Sequence, residues 1–120
     1  MRRITDDQRR RRLLVRHRLT ADTRASSPEE ATAAVGVLHS TEPATVYLSV
    51  RARAPHLGVA DVDRALHQER TLVKQLAMRR TLFVFPRALL PAAWGSASAR
   101  VAASERAGLV KGAVTSGLAP

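Results

Sequence analysis

Residues 71–86 have the sequence TLVKQLAMRRTLFVFP, in which two short apolar runs flank Arg79 and Arg80. The runs, Leu72 to Met78 and Thr81 to Phe85, have the length and the β-branched and aromatic content of strands, and Pro86 ends the second. This pattern predicts a β-hairpin with both arginines at its tip. Two consecutive arginines are unfavourable turn residues, because short hairpin loops prefer Asn or Gly at positive φ. The tip is either a contact for nucleic acid or a solvated turn.

Helical signals precede the hairpin. Ser27-Pro28-Glu29-Glu30 combines a capping hydroxyl, a proline at the first helical position and a carboxylate three residues after the cap, so a helix is predicted to begin at Pro28. Apolar residues then recur at helical spacing and predict a face that packs on an N-terminal helix. The helix that begins at Pro28 is expected to end at His39. The members of this face are Ala31, Ala34, Val35 and Leu38.

The segment from His39 to Pro43 has the composition of a loop, and Pro43 is able to open another helix. Residues 45–50 fit either a strand or a helical face. Pro55 to Gly58 predicts a turn, and the spacing of the apolar residues in 59–66 predicts a short helix. Beyond the hairpin, residues 88–94 and 97–114 are rich in Ala and predict helices interrupted by Gly95.

Composition agrees with a mainly α domain that carries one small β-hairpin. The 120 residues suffice for one modest core, and 45% of them are hydrophobic. Aromatic residues make up only 3%, so the core must be built from Leu, Val and Ala, which favours closely packed helices. There is no cysteine, which excludes disulfides and thiolate zinc sites.

The charge balance indicates an acidic partner. Lys and Arg number 20 against 10 for Asp and Glu, giving a formal net charge of +10, and only Lys74 and Lys111 are lysines. Arginine forms bidentate hydrogen bonds with phosphate oxygens and guanine edges, so nucleic acid is favoured over an anionic membrane surface. The alternative is a solvated basic surface that reflects genome base composition.

The first 20 residues hold eight arginines and two aspartates, and they include the apolar run Leu13 to Val15. This pattern predicts a basic N-terminal arm, residues 1–12, that leads into a helix. The arm either contacts DNA phosphates or is a solvated tail in front of a docking helix.

Several classes of function are not expected. No apolar run reaches the roughly 18 residues that span a bilayer, and the N-terminus lacks the apolar core of a secretory signal, so a cytoplasmic protein is predicted. The four histidines lack the short spacing of a helical metal site, and there is no Gly-rich phosphate loop or nucleophile elbow. Neither a metal nor another cofactor is predicted.

Helices followed by a hairpin on a basic chain have the element order of a winged helix, that is, a helix-turn-helix plus a wing. Four segments carry a closer resemblance: LLVRHRLT, LHSTEPATVYLSVRARAP, VADVDRAL and TLVKQLAMRRTLFVFPRALLP. They are similar to the N-terminal part of the bacterial winged-helix family that includes the AlkZ/YcaQ-type DNA glycosylases, which unhook crosslinks. The similarity covers roughly Leu13 to Lys111.

The resemblance implies a winged-helix DNA-binding domain over residues 13–90 and makes residues 45–53 helical. Members of the family are about three times as long, with tandem winged helices and a C-terminal β-barrel. Residues 91–120 are therefore expected to be a helical segment that leads into a further C-terminal part, and the 120-residue chain alone is expected to be inactive.

The family also implies a candidate catalytic loop. Its characterised glycosylases carry a Gln-apolar-Gln or Gln-apolar-Asp motif before that helix, and the matching triplet here is His39-Ser40-Thr41. An imidazole at position 39 is suited to orient or deprotonate water, and Thr41 to hold it. Glu42 is suited to stabilise an oxocarbenium-like sugar. Alternatively, His39 ends one helix and Thr41 or Glu42 caps the next.

The basic charge predicts a duplex-DNA-binding protein, and the resemblance implies a bacterial, nucleoid-associated protein that takes part in the repair of alkylated or crosslinked DNA. The alternatives are a non-catalytic DNA-binding or transcription-regulatory protein of the same fold and a basic RNA-binding module. The residues predicted to contact nucleic acid are all basic: Arg9, Arg10, Arg11, Arg12, Arg51, Arg53, Lys74, Arg79 and Arg80.

Overall fold

A computed structural model describes residues 3–118 and is mainly helical, with a small antiparallel sheet. This confirms the prediction of a mainly α fold with a small β-hairpin. The α-helices are α1 (Asp6–Arg16), α2 (Pro28–Ala33), α3 (Pro43–Arg53), α4 (Val59–Asp63), α5 (Leu90–Ala93) and α6 (Ala99–Thr115). The strands are β1 (Leu38–His39), β2 (Leu72–Leu76) and β3 (Leu82–Pro86). The 3₁₀ turns are Ala21–Thr23, Met78–Arg80 and Arg87–Leu89, and the π turns are Arg64–Gln68 and Trp94–Ser98.

The hairpin is present, and β2 pairs with β3 in antiparallel register from Leu72 opposite Pro86 to Leu76 opposite Leu82. Both tip arginines adopt left-handed backbone conformations, with φ of 55° at Arg79 and 59° at Arg80. Such angles cost a side-chain-bearing residue about 1–2 kcal/mol each. The chain thus forms the turn in spite of its residue types, and a five-residue connection replaces the tight two-residue loop.

A third strand was not predicted. The helix that begins at Pro28 ends at Ala33, and Gly36, with φ of 88°, reverses the chain so that Leu38 and His39 pair with β3. The expectation of a helix that reaches His39 is therefore wrong. The strand order is β1–β3–β2, so β3 lies in the middle and β2 lies at an edge.

The two faces of the sheet are covered by different helices. Val84 and Leu72 lie in the main core with Val46 and Val50 of α3, which is helical as the resemblance implied. Phe85, on the opposite face, packs in a second cluster with α5, because successive residues of a strand face opposite sides. The continuous apolar run of β3 is explained by this burial on both faces.

The N-terminal helix does not dock as expected. Helix α2 packs against α3 and β3, whereas α1, all of whose residues are described, contains no buried residue. Leu13, Leu14 and Val15 of α1 are each more than 40% exposed. A capping box between Thr5 and Gln8 starts α1, so the segment expected to be an arm is helical from Asp6 onward.

Gly95 does not interrupt the C-terminal helix. The chain passes from α5 through the π turn Trp94–Ser98 directly into α6. A single glycine costs a helix only about 1 kcal/mol, which the surrounding Ala-rich sequence offsets. The expected break after Trp94 is therefore wrong, while both predicted helical regions are present. No helix within residues 3–118 combines the length and apolarity needed to cross a bilayer.

Candidate nucleic-acid interface and catalytic loop

The candidate catalytic loop lies between β1 and α3. His39 is exposed at the end of β1, and its ring contacts the ring of Phe83 edge-on, with centroids 5.3 Å apart and planes at 85°. Phe83 is the residue that pairs with His39 across the sheet. The central strand therefore fixes the direction of the imidazole.

His39 and Thr41 are brought together. The His39 Nε2 and Thr41 Oγ1 atoms lie 3.2 Å apart, within hydrogen-bond distance, and either group is able to donate depending on the tautomer of the ring. Both side chains are exposed. An imidazole and a hydroxyl thus point to one side of the loop, where each is able to hold the same water molecule.

Ser40, between these two residues, points the other way. It is only 2% exposed, and its backbone N–H donates to Leu82 O at 2.9 Å, which extends the pairing of β1 with β3. Its Oγ is buried without a hydrogen-bond partner among the described residues. A polar side chain therefore occupies the inward position at which the resembling motif has an apolar one, and the backbone hydrogen bond from Ser40 to Leu82 anchors the loop.

The side chain of Glu42 forms no hydrogen bond with His39 or Thr41. Glu42 occupies the N-cap position of α3, but its side chain makes no capping hydrogen bond and is exposed. The backbone alone closes the first turn, with Thr45 N donating to Glu42 O at 3.0 Å. The capping alternative therefore lacks support at Glu42, and His39 ends a strand and not a helix.

The tip of the hairpin faces α6 across a cleft of about 320 Å³. Arg79 and Arg80 line this cleft together with Arg100, which sequence reasoning did not select. Arg80 forms an ion pair with Glu105 of α6, whereas Arg79 is exposed and has no ion-pair partner among residues 3–118. Arg100 was missed because α6 has no periodic pattern that marks one of its faces.

The predicted arginines of α1 are all exposed along one short helix. Arg10 pairs with Asp7 at 3.0 Å, and this pair is almost fully solvated. Exposed pairs of this kind contribute little to stability, so Arg10 is able to exchange its partner for a phosphate at low cost.

The remaining predicted contacts differ in exposure. Arg51 and Lys74 are exposed, but Arg53 is half-buried and its Nη1 donates to Ser49 O at 2.8 Å. Burial lowers the pKa of Arg53, and its Nε has no hydrogen-bond partner among the described residues. Arg51 therefore presents more of its donors to a ligand than Arg53 does.

Among the described residues, no group of three or more His, Asp or Glu side chains is arranged to hold a metal ion.

Comparison with models of protein families gives a match over residues 32–119 to the family described as DNA glycosylase AlkZ-like. The match includes the candidate catalytic loop, all three strands and α3 to α6, whereas α1 lies outside it. No significant match was found among curated proteins or among solved structures.

Proposed function

Because this chain belongs to the family of AlkZ-like DNA glycosylases, we propose that it is a winged-helix module that binds duplex DNA, mainly through contacts between arginine and phosphate. Its role is the repair of alkylated or crosslinked DNA. In this proposal α3 and α4 form the helix-turn-helix and the β2–β3 hairpin is the wing. The order of elements, α2–β1–α3–α4–β2–β3, supports it.

The arrangement at the hairpin tip is the observation that carries this proposal. On a chain of net charge +10, Arg79 extends from the hairpin with an exposed side chain, next to Arg80 and Arg100. Phosphate contacts supply most of the affinity of non-specific DNA binding, and arginine binds phosphate in bidentate geometry. No comparable cluster of Asn or Gln marks a base-reading surface, so we propose weak sequence preference.

Replacing both tip arginines with alanine tests the interface. We expect the double variant Arg79→Ala, Arg80→Ala to lower the log–log salt slope of DNA binding by about 1.8, because each lost phosphate contact removes about 0.9. The melting temperature should be nearly unchanged, since the only ion pair lost is exposed and such pairs contribute at most about 1 kcal/mol. Fluorescence anisotropy with a labelled duplex and thermal unfolding measure the two effects.

Two control variants sharpen this test. Glu105→Gln removes the partner of Arg80 and one negative charge, so it should tighten DNA binding where the double variant weakens it. Lys111→Ala changes the charge by the same amount as Arg79→Ala, but Lys111 is exposed near the C-terminal end of α6, away from β2, so this variant should leave the salt slope unchanged. If the double variant lost stability in proportion to affinity, the tip would serve the fold and not the ligand.

The 3.2 Å contact between His39 and Thr41 supports a second step in the proposal, the hydrolysis of an N-glycosidic bond. That reaction needs an oriented water molecule and stabilisation of positive charge on the sugar. The bond between the sugar carbon and the base nitrogen breaks, the base leaves with the electron pair, and the water oxygen bonds to the sugar carbon. The imidazole nitrogen of His39 accepts the proton that the water loses, while Thr41 Oγ1 holds the water by a hydrogen bond. Glu42 lies next in the chain, where its carboxylate is able to turn toward a bound sugar cation.

A further inference from the structure

A groove of about 460 Å³ runs along the outer edge of β2, at the end of the strand that is far from the hairpin tip. Its size lies within the range of about 300–1,000 Å³ that is typical of ligand sites. The lining combines apolar and basic residues and contains no carboxylate: Leu66, His67, Arg70, Leu72, Val73 and Lys74. Of these, His67 and Arg70 were not selected by sequence reasoning.

The three basic side chains of the groove are exposed, and none of them forms an ion pair within residues 3–118. The nearest acidic residue in the sequence, Glu69, pairs instead with Arg64, which also lies 3.8 Å from Glu29. The carboxylates of this region are thus engaged outside the groove. The donors of His67, Arg70 and Lys74 remain available to an anion.

The backbone of β2 adds a further donor. The N–H groups of Ala77 and Arg87 donate to Thr81 O and Thr71 O, at 3.1 Å and 2.9 Å. In this register the backbone N–H and C=O groups of the odd-numbered residues of β2 point toward β3, and those of the even-numbered residues point away from it. The reason is that hydrogen-bonded and non-hydrogen-bonded pairs alternate in an antiparallel ladder. The N–H of Lys74 therefore points to the open edge that lines the groove.

The other end of the same edge is occupied. Ser98 Oγ donates to Leu76 O at 2.7 Å, so the turn between α5 and α6 covers the part of β2 nearest the tip. Unpaired strand edges are usually covered or blocked by charge. Here the uncovered part of the edge carries the basic groove.

Arg70, one of the lining residues of the groove, holds an unusual backbone conformation. Its φ is 53°, a left-handed value at a position following a helical turn where glycine is the common residue. Residues with side chains persist in this conformation mainly where the surroundings or a function require them. The left-handed residue carries the chain from the π turn Arg64–Gln68 into β2, and its side chain lines the groove together with His67 and Lys74.

We propose that this groove is a phosphate-binding site and that its ligand is a backbone phosphodiester of bound DNA. The guanidinium of Arg70 and the ammonium of Lys74 neutralise the phosphate, and His67 and the Lys74 N–H donate hydrogen bonds to its oxygens. The phosphate site follows from the groove itself, whereas its assignment to DNA rests on the proposed function.

The test is a nuclear magnetic resonance titration of the 120-residue chain with inorganic phosphate and, separately, with an unmodified 20-base-pair duplex. We expect both ligands to shift the backbone amide signal of Lys74 in a saturable manner. The variant Arg70→Gly should bind phosphate at least about tenfold more weakly, because it loses a charge-assisted hydrogen bond. Its melting temperature should be equal or higher, since glycine adopts φ near 53° without strain.

The direction of these two effects separates a binding role from a structural one. A residue that only maintained the fold would lower stability and affinity together, whereas Arg70→Gly is expected to lower affinity alone. Arg106→Ala, which removes one exposed charge on α6, is the matched control and should leave phosphate binding unchanged.

The remaining outcomes distinguish the sources of the phosphate. If inorganic phosphate gives no saturable shift at Lys74, or if Arg70→Gly binds it as tightly as the parent chain, the proposed site is wrong. If the duplex binds without shifting the Lys74 amide, the site takes a free phosphate ion and the assignment to DNA is wrong. If the duplex does not bind at all while inorganic phosphate still shifts Lys74, the proposed function fails and the phosphate site stands.

Discussion

Raising the salt concentration from about 50 mM to about 200 mM should weaken the binding of duplex DNA about 150-fold, if four phosphates are neutralised at about −0.9 in log–log slope each. The reason is that each contact between arginine and phosphate releases condensed counterions, and this release becomes less favourable as salt rises. The exposed arginines of the hairpin tip and of α1, together with Lys74, supply more than enough cations for four contacts.

Anisotropy titrations of a labelled 20-base-pair duplex at four or more salt concentrations measure this slope. Equal masses of structured RNA and duplex DNA should be compared as competitors in the same experiment. A slope close to zero would contradict an interface made of phosphate contacts. Stronger competition by RNA would identify the chain as an RNA-binding module instead.

The variant His39→Ala should lose about 10²–10⁴-fold in the rate of base excision, the range that a positioned general base contributes. The loss should be this large because the His39 imidazole lies within hydrogen-bond distance of Thr41, at 3.2 Å, where it is able to accept a proton from the same water. Thr41→Val removes the hydroxyl at nearly constant volume and should cause a smaller loss. His56→Ala is the matched control, because His56 is also exposed but lies in the turn between α3 and α4.

The rate is measured by incubating alkylated or crosslinked duplex with the product of the complete reading frame and with the 120-residue chain, and revealing abasic sites by alkali. Thermal unfolding of each variant accompanies the assay, since His39 also packs on Phe83. Excision that His39→Ala leaves intact would show that another residue activates the water. Absence of excision from every alkylated duplex would leave a DNA-binding protein without this catalytic step.

Local signals in the sequence were sufficient for several elements of the fold. The helix at Pro28 begins where the capping pattern predicts, with Ser27 Oγ accepting from Glu30 N at 3.1 Å. The β2–β3 hairpin was predictable because its strands are adjacent in the chain and strongly apolar. Pro43 opens α3 as expected, although the sequence alone left residues 45–50 divided between strand and helix until the resemblance was considered.

Elements that depend on distant partners were not predictable in this way. Strand β1 has only two residues, and it exists because Leu38 and His39 pair with Val84 and Phe83, more than 40 positions away. The same pairing shortens α2 and moves His39 from a helix end to a sheet edge. Periodicity within one segment contains no information about such a partner, and tertiary pairing overrides local propensity.

The candidate sites show the same division. The family resemblance identified the loop that contains His39 and Thr41. The inward burial of Ser40 follows from its backbone hydrogen bond to Leu82 and was not predicted. The pairing of Arg80 with Glu105 and the half-buried position of Arg53 likewise result from three-dimensional neighbours. Arg70, whose side chain lines the basic groove, has a left-handed backbone conformation that residues other than glycine ordinarily avoid. Its residue type therefore gave no signal of this turn.

Site-directed cleavage of DNA from the hairpin tip tests directly whether the tip lies against the duplex. The chain contains no cysteine, so Met78→Cys creates a single attachment point for an iron chelate and keeps both tip arginines. With binding monitored in the same samples, we expect this placement of the tip to give cuts in the bound duplex from the labelled variant and none from the cysteine-free chain treated with the same reagent. Full binding of the duplex by the labelled variant without any cuts would contradict it.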